Sequence, residues 1–196
     1  MFFKKSSPID FLIVGLGNPG KGYANTRHNT GVMALETLAK DLGAELTRSK
    51  FHSLTGEARI GDARVLLMFP QTYMNLSGQA VAEAAKFYKL PAERILVFSD
   101  DIALPLGGVR VRRKGSDGGQ KGLRNIGELL GSTDFPRIRI GIGQKPHPEM
   151  ELADWVLSRY SSAELKVIAE AADKAVAAAK LIVAGQIDDA MNKYSR

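Results

Sequence analysis

Cysteine is absent from this 196-residue sequence, and its absence excludes several kinds of chemistry. Without cysteine there is no disulfide framework, no thiolate nucleophile and no cysteine-ligated zinc. The absence also agrees with a reducing compartment, where disulfides rarely persist.

Long apolar runs are missing as well. No run reaches the roughly 20 residues that a helix needs to cross a bilayer. The start of the chain, residues 1–5, reads Met-Phe-Phe-Lys-Lys. It is too short for a signal peptide, and its basic residues are in the wrong place. The sequence therefore predicts a cytoplasmic protein that does not enter a membrane.

Acidic residues are fewer than basic ones, which gives a formal charge of +6 and a pI near 9.5. Such a balance favours a polyanionic partner. The basic residues are concentrated in the second half of the chain: Arg110, Arg112, Arg113, Lys114, Lys121, Arg124, Arg137, Arg139 and Lys145.

The segment Val109-Arg110-Val111-Arg112 alternates in a way typical of a strand, with valines on one face and arginines on the other. One interpretation is a solvated edge strand that uses charge against aggregation. The other is a surface for a phosphate backbone, and we favour it because only Asp117 interrupts the basic run. Arg110, Arg112, Lys114 and Arg139 are the candidate contacts.

Strand and helix patterns alternate along the chain, without a linker or an internal repeat. Apolar or alternating runs predict strands at residues 11–14, 55–60, 64–69, 95–98, 109–112 and 137–142. Gly61-Asp62 predicts a hairpin turn. Helical periodicity predicts helices over residues 30–42, 77–88 and 123–130, a long one from the capping box at 161–164 to about 184, and a short one ending near Tyr194.

This order predicts one three-layer α/β domain over residues 1–196, with a twisted mixed β-sheet flanked by helices. Residues 1–9 are expected to form a loosely ordered extension. Ligands of such sheets gather beyond the carboxyl ends of the strands. Asn18 and Asp100 both follow a predicted strand there.

A glycine-rich turn, Gly15-Leu16-Gly17-Asn18-Pro19-Gly20, follows the first strand, and His28 comes eight residues later. The glycines fit the GxGxxG pattern of dinucleotide-binding proteins, so a nucleotide-dependent enzyme is one hypothesis. Three features disfavour it. Residues 21–31 are poor helix formers, Pro19 lacks an N–H for phosphate, and no second strand ends in an acidic residue suited to a ribose hydroxyl. A hydrolase is the other hypothesis.

Three segments resemble signature motifs of bacterial peptidyl-tRNA hydrolases. The first is residues 14–20 with Tyr23 and residues 26–29. The second is residues 70–78, Pro-Gln-Thr-Tyr-Met-Asn-Leu-Ser-Gly, and the third is residues 138–143, Ile-Arg-Ile-Gly-Ile-Gly. The match runs in order from about Phe11 to the C-terminal helix. Two long motifs at the family's spacing are far more specific than a lone GxGxxG.

The resemblance implies an enzyme that hydrolyses the ester between a peptide and the 3′-terminal ribose of tRNA, and so recycles tRNA after premature release from the ribosome. It implies a peptidyl-tRNA hydrolase-like fold, a monomer, and no requirement for a metal or cofactor. Among the three histidines, His28 is the candidate general base, and Asp100 is the residue that would orient it.

Four further residues are substrate contacts by resemblance: Asn18, Tyr23, Tyr73 and Asn75. Asn18 is expected to distinguish a peptidyl ester from a free aminoacyl ester, because a hydrogen bond to the first peptide group is one that a free ammonium cannot reproduce. The aromatic rings could stack on unpaired bases of the CCA end. Asn75 has an alternative role as the N-cap of the helix that starts near Ser77.

The chain departs from the family at Gln120-Lys121, where the family commonly has His-Asn. Lysine cannot accept a hydrogen bond, so Lys121 is expected to contact tRNA rather than to hold a water. Ser99 likewise replaces a usual histidine. These departures keep a second hypothesis open, a non-catalytic RNA-binding relative of the splicing-factor type. The presence of Asn18, His28, Asn75 and Asp100 favours the enzyme.

Overall fold

The computed structural model describes residues 8–195 of the chain and contains a seven-stranded mixed sheet. The strands are β1 (Phe11–Gly15), β2 (Arg48–Lys50), β3 (Ser53–Ile60), β4 (Ala63–Pro70), β5 (Ile95–Asp101), β6 (Val109–Arg112) and β7 (Arg137–Gly141). Their order across the sheet is β2-β3-β4-β1-β5-β7-β6. The central strands β4, β1, β5 and β7 are parallel, whereas β2, β3 and β6 add antiparallel pairs at the two sides.

The helices are α1 (Thr30–Asp41), α2 (Ser77–Tyr88), α3 (Lys121–Leu130), α4 (Leu152–Val156), α5 (Ser162–Val183) and α6 (Ile187–Tyr194). They cover both faces of the sheet. Residues of α1 and α5 share one apolar core with the sheet, and residues of α2 and α3 share the other. The three-layer α/β architecture expected from the sequence is therefore present.

The continuous apolar run of β1 shows why the central strands do not alternate in sequence. Phe11 and Ile13 pack in the core that contains α1 and α5, whereas Leu12 and Val14 pack in the opposite core. Both faces of a central parallel strand are buried, so every position favours an apolar residue. Ile9 is also buried, in the core that contains α2, so the described part of the predicted N-terminal extension includes a core residue. Residues 1–7 of that extension lie outside the described residues.

Two short elements were not expected from the sequence. Strand β2 has three exposed polar residues and joins β3 through Phe51 and His52, both with positive φ. Such a two-residue turn is usually indicated by asparagine or glycine, so neither residue predicted it. Helix α4 has five residues, too few to show helical periodicity.

Candidate active site

A cavity of about 490 Å³ opens at the carboxyl ends of the central strands. Its wall is built by the loop after β1, the end of β5, the segment after β4, the N-terminus of α3, and α4. The lining residues include Asn18, His28, Tyr73, Asn75, Asp100, Lys121 and Arg139. Seven of the candidate site residues, distant in sequence, thus share one cavity. The cavity lies at the strand ends, where the sequence predicts that ligands gather.

His28 and Asp100 form the most chemically informative contact in this cavity. The Nδ1 atom of His28 lies 2.8 Å from Oδ2 of Asp100, and their side chains are 13% and 3% exposed. Burial lowers the pKa of His28, but the charge and hydrogen bond of Asp100 raise it more. The pKa of His28 therefore lies above its ordinary value, and the nearby Lys121 ammonium opposes this rise.

A glycine brings these two residues together. His28 lies in a 3-10 turn (Arg27–Asn29) immediately before α1, and Asp100 lies near the end of β5. Gly31 in the first turn of α1 packs against the backbone so closely that a Cβ there would lie 2.3 Å from the carbonyl oxygen of Phe98. Only glycine permits this approach, which sets the start of α1 against the end of β5.

Arg27 anchors the same turn from the other side. Its buried guanidinium lies 3.9 Å from the ring centre of Trp155 and 4.7 Å from that of Tyr160. It also donates hydrogen bonds to Ser158 and to the Glu164 carboxylate. The backbone of His28 is thereby tied to α4 and α5.

Asn18 is held in place by both its backbone and its side chain. Its backbone N–H and C=O both bond to the side-chain amide of Asn29, at 2.9 Å each. Its Oδ1 accepts a hydrogen bond from the Met74 N–H at 2.8 Å. Because the oxygen is engaged in this way, the amide NH2 of Asn18 is the end presented to the cavity.

The second motif contributes Tyr73 and Asn75. Tyr73 is 61% exposed at the mouth of the cavity. Asn75 lies in a 3-10 turn (Met74–Leu76), and α2 begins after it with Leu76 as N-cap and no side-chain cap. Asn75 therefore does not cap α2, and its amide remains at the cavity wall.

Of the remaining candidate tRNA contacts, only Arg139 lines the cavity. Tyr23 is half-buried in its own 3-10 turn and is not among the residues that line the cavity. Arg110 and Arg112 are half-buried on the edge strand β6, and Lys114 is exposed just beyond it. Arg139 instead lines the cavity, where it donates to the carbonyl oxygen of Asp117 at 2.6 Å.

Two parts of the cavity, Gln120 and helix α4, were not predicted from the sequence. Gln120, noted only as a departure, donates a hydrogen bond to Asp100 at 3.0 Å. Helix α4 supplies an apolar wall that includes Leu152 and Val156. Neither had a local signal, because a glutamine and a five-residue helix are both common outside functional sites.

Among residues 8–195, no group of three or more histidine or acidic side chains lies close enough to hold a metal ion. Nor does that part of the chain contain a helix of the length and apolarity that a membrane span requires. The fold and the site define an α/β protein whose histidine–aspartate pair, in a partly apolar cavity, is of the kind that activates water for hydrolysis.

The comparisons with known proteins identify the family. Residues 12–196 match the family model described as peptidyl-tRNA hydrolase. The peptidyl-tRNA hydrolase of Caldanaerobacter subterraneus is 49% identical over 185 residues, covering 94% of this chain and 99% of that protein. The crystal structure of the Acinetobacter baumannii enzyme matches with a TM-score of 0.89 at 40% identity and covers 97% of both chains. The chain belongs to the peptidyl-tRNA hydrolase family.

Proposed function

We propose that this chain hydrolyses the ester bond between a peptide and the 3′-terminal ribose of tRNA, with His28 as the general base. The observation that carries the assignment of the base is the 2.8 Å contact between His28 and Asp100 inside the cavity. The relatives reported above are hydrolases, which favours catalysis over the alternative of a non-catalytic RNA-binding protein.

In this mechanism Asp100 accepts a hydrogen bond from Nδ1–H of His28, so Nε2 is free to take a proton from water. The water oxygen attacks the ester carbonyl carbon, and amide donors such as that of Asn75 stabilise the tetrahedral oxyanion. The intermediate then collapses, the bond to the ribose oxygen breaks, and the imidazolium returns the proton to that oxygen. The products are a free peptide carboxylate and a tRNA with an intact 3′ hydroxyl.

Asn18 is the residue that would select a peptidyl over an aminoacyl ester. Its NH2 group faces the cavity because its oxygen is occupied by the Met74 N–H. The NH2 group can donate to the carbonyl oxygen of the first peptide bond. A free aminoacyl ester has an ammonium group there, which cannot accept a hydrogen bond.

The tRNA would extend from the cavity over its polar rim. The exposed ring of Tyr73 is placed to stack on a base of the CCA end, and Tyr23 is a further candidate outside the cavity. Lys121 lies at the N-terminus of α3, where its ammonium can contact a phosphate. Arg110, Arg112 and Lys114 would bind the backbone further away, and Arg139 would do so from the cavity wall.

We also propose that the chain acts as a single catalytic domain and a monomer in the cytoplasm, without a metal or cofactor. The chemistry described above is complete without them, since a positioned base and amide donors suffice to activate water and hold the oxyanion.

The pH dependence of hydrolysis tests the assignment of the base. We expect kcat/KM to rise about tenfold per pH unit at low pH and to level off above an apparent pKa higher than about 6.5, the ordinary value for histidine. The value of kcat/KM rises with pH because His28 must be neutral to act as the base. The apparent pKa lies above the ordinary value because Asp100 favours the protonated imidazole. The measurement is release of N-acetylated amino acid from charged tRNA, corrected for spontaneous hydrolysis, with and without a chelator. A flat profile from pH 5 to 8, or loss of activity with the chelator, would contradict this mechanism.

Substitution of Arg112 and Lys114 by glutamine tests the backbone-binding surface. We expect a higher KM, an unchanged kcat, and a salt dependence of log KM that becomes shallower by about 0.7–0.9 per lost phosphate contact. Lys174, exposed on α5, is the matched control, and its glutamine variant should retain the wild-type slope. A lower kcat at saturating substrate with unchanged KM would show that these residues do not serve tRNA binding.

A further inference from the structure

Gln120 contacts the proposed catalytic pair from the side of Asp100 opposite to His28. It is the N-cap of α3, and its Oε1 accepts a hydrogen bond from the Leu123 N–H at 2.8 Å. Its Nε2 donates to Oδ1 of Asp100 at 3.0 Å. The residue is 8% exposed, so both ends of a nearly buried amide are engaged.

The backbone of α3 fixes which way this amide faces. A backbone N–H can only donate, so the end of Gln120 that meets Leu123 must be the oxygen. The NH2 end then faces Asp100, and Oδ1 of Asp100 must accept. A proton on Oδ1 of Asp100 would point at the NH2 group of Gln120, which is itself a donor. Oδ1 of Asp100 is therefore taken up by Gln120, and Oδ2 is the oxygen that meets Nδ1 of His28.

We propose that Gln120 is a positioning residue for the hydrolysis: it ties the N-terminus of α3 to Asp100 and thereby holds the Asp100 carboxylate in the orientation that receives Nδ1–H of His28. This inference rests on the proposed function of His28 as the base. With Nδ1 protonated, Nε2 is the unprotonated nitrogen that accepts a proton from water. Gln120 acts through Asp100 and takes no part in bond making or breaking.

The length of Gln120 supports a role beyond capping. Serine, threonine, aspartate and asparagine are the preferred N-caps, because a short side chain suffices to reach the backbone N–H. The longer glutamine spans from α3 to β5 and uses its second polar end on Asp100. Space for it is kept by Gly122, since a Cβ there would lie 3.0 Å from Oε1 of Gln120 and 2.7 Å from Sδ of Met74.

Four ionisable groups bear on the pH behaviour of this cluster: His28, Asp100, Lys121 and Tyr160. His28 faces Asp100 from β5 and Lys121 from α3. The charge of Asp100 also raises the pKa of the Tyr160 hydroxyl, just before α5, after the larger effect of burial. Gln120 itself does not titrate, so it keeps the same donor in place across the working pH range.

The variants Gln120→Ala and Gln120→Glu test this role. Alanine removes the donor, and we expect kcat to fall about 10- to 100-fold, as for other residues that orient a functional group. Glutamate is nearly isosteric, but it faces Asp100 at hydrogen-bond distance and must bind a proton to donate there. We therefore expect the activity of Gln120→Glu to fall at high pH, where this proton is lost, in a limb that the wild type lacks. Gln120→His, which restores a side-chain N–H donor, should recover most of the lost kcat.

A second readout is independent of turnover. The ¹⁵N chemical shifts of the His28 ring, recorded on the full chain without substrate, report its tautomer and its titration. We expect an Nδ1–H tautomer in the wild type and in Gln120→His. In Gln120→Ala the same tautomer is expected, because either oxygen of the Asp100 carboxylate can only accept. The titration midpoint of the ring should instead rise, because Asp100 loses a donor that shares its negative charge.

Gly131→Ala is the matched control for loss of helix stability. Gly131 is the C-cap of α3 with φ of 68°, and no atom lies within 4 Å of a Cβ placed there. Alanine strains the far end of the same helix, and we expect unchanged kcat and unchanged ¹⁵N shifts. If Gly131→Ala lowers kcat as much as Gln120→Ala, helix stability explains the loss and the proposal is overturned.

The proposal is also overturned if Gln120→Ala and Gln120→Glu keep the wild-type kcat, pH profile and ¹⁵N titration of His28, because Gln120 is then only a cap. His28→Ala separates this from failure of the proposed function. Full activity in His28→Ala would show that His28 is not the base. If His28→Ala is inactive while the Gln120 variants behave as the wild type, only the proposed role of Gln120 is rejected.

Discussion

Asp100→Asn is expected to lower kcat by up to about 10⁴-fold while leaving KM for tRNA nearly unchanged. The physical reason lies in the orientation of the new amide. Gln120 donates to the oxygen at position 100, so the asparagine oxygen would face Gln120 and its NH2 group would face His28. His28 would then accept at Nδ1 and carry its proton on Nε2, where it cannot remove a proton from water.

Steady-state hydrolysis of N-acetylaminoacyl-tRNA measures this effect, with His28→Ala for comparison. Removal of a positioned general base alone typically costs about 10²–10⁴-fold. Asp101→Asn is the matched control, since Asp101 lines the same cavity but its Oδ1 accepts from the Ala103 N–H rather than from His28. A kcat for Asp100→Asn within a few fold of the wild type would contradict the dyad.

Arg137→Met is expected to lower the free energy of unfolding by at least about 3 kcal/mol. This is the largest loss of stability that we expect from the removal of one charged side chain. Arg137 is 1% exposed, and it donates to the carbonyl oxygens of Gly115, Ser116, Thr133 and Phe135. The buried Phe135 carbonyl left without a donor costs about 1–3 kcal/mol, and the carbonyls of Gly115, Ser116 and Thr133, which belong to exposed residues, lose hydrogen bonds to a charged donor. Burial lowers the pKa of Arg137 to about 10, which leaves it protonated at neutral pH.

Chemical denaturation compared across three variants checks this prediction. Arg137→Lys keeps the charge with fewer donors and should recover part of the loss. Arg124→Met removes an exposed arginine that pairs with Asp117 in the same loop, and a much smaller change is expected. KM should rise in Arg137→Met as well, because the loop it holds carries Gly118 and Gly119 at the cavity wall. Equal denaturation midpoints for Arg137→Met and the wild type would show that the hydrogen bonds of buried Arg137 do not stabilise the fold.

Local patterns in the sequence were sufficient for the main elements. The apolar run of β1, the hairpin turn at Gly61-Asp62 and the capping box at the start of α5 are all present as expected. Helix α2 has the predicted bounds, 77–88. These features depend on side-chain periodicity, turn chemistry and capping within a few residues, so they can be read without knowledge of the tertiary structure.

For the site, the sequence supplied the residues and the tertiary structure supplied their partners. His28, Asn18 and Asn75 were predicted from motifs, and Asp100 from its place after a buried strand together with the family resemblance, which favours it over Asp101. That Nδ1 of His28 meets Asp100 depends on how α1 packs against β5 through Gly31. That Arg139 turns to the Asp117 carbonyl in the cavity wall depends on the path of a loop 22 residues away.

What the sequence determined by itself was the family, the layered α/β fold and seven of the residues that line one cavity. Only the tertiary structure decided the contacts between residues distant along the chain, such as Gln120 with Asp100 and Asn18 with Met74. It also decided that Tyr23 does not line the cavity. The reason is physical. Periodicity, turns and caps follow from interactions between near neighbours, whereas these contacts exist only after the strands and helices have packed.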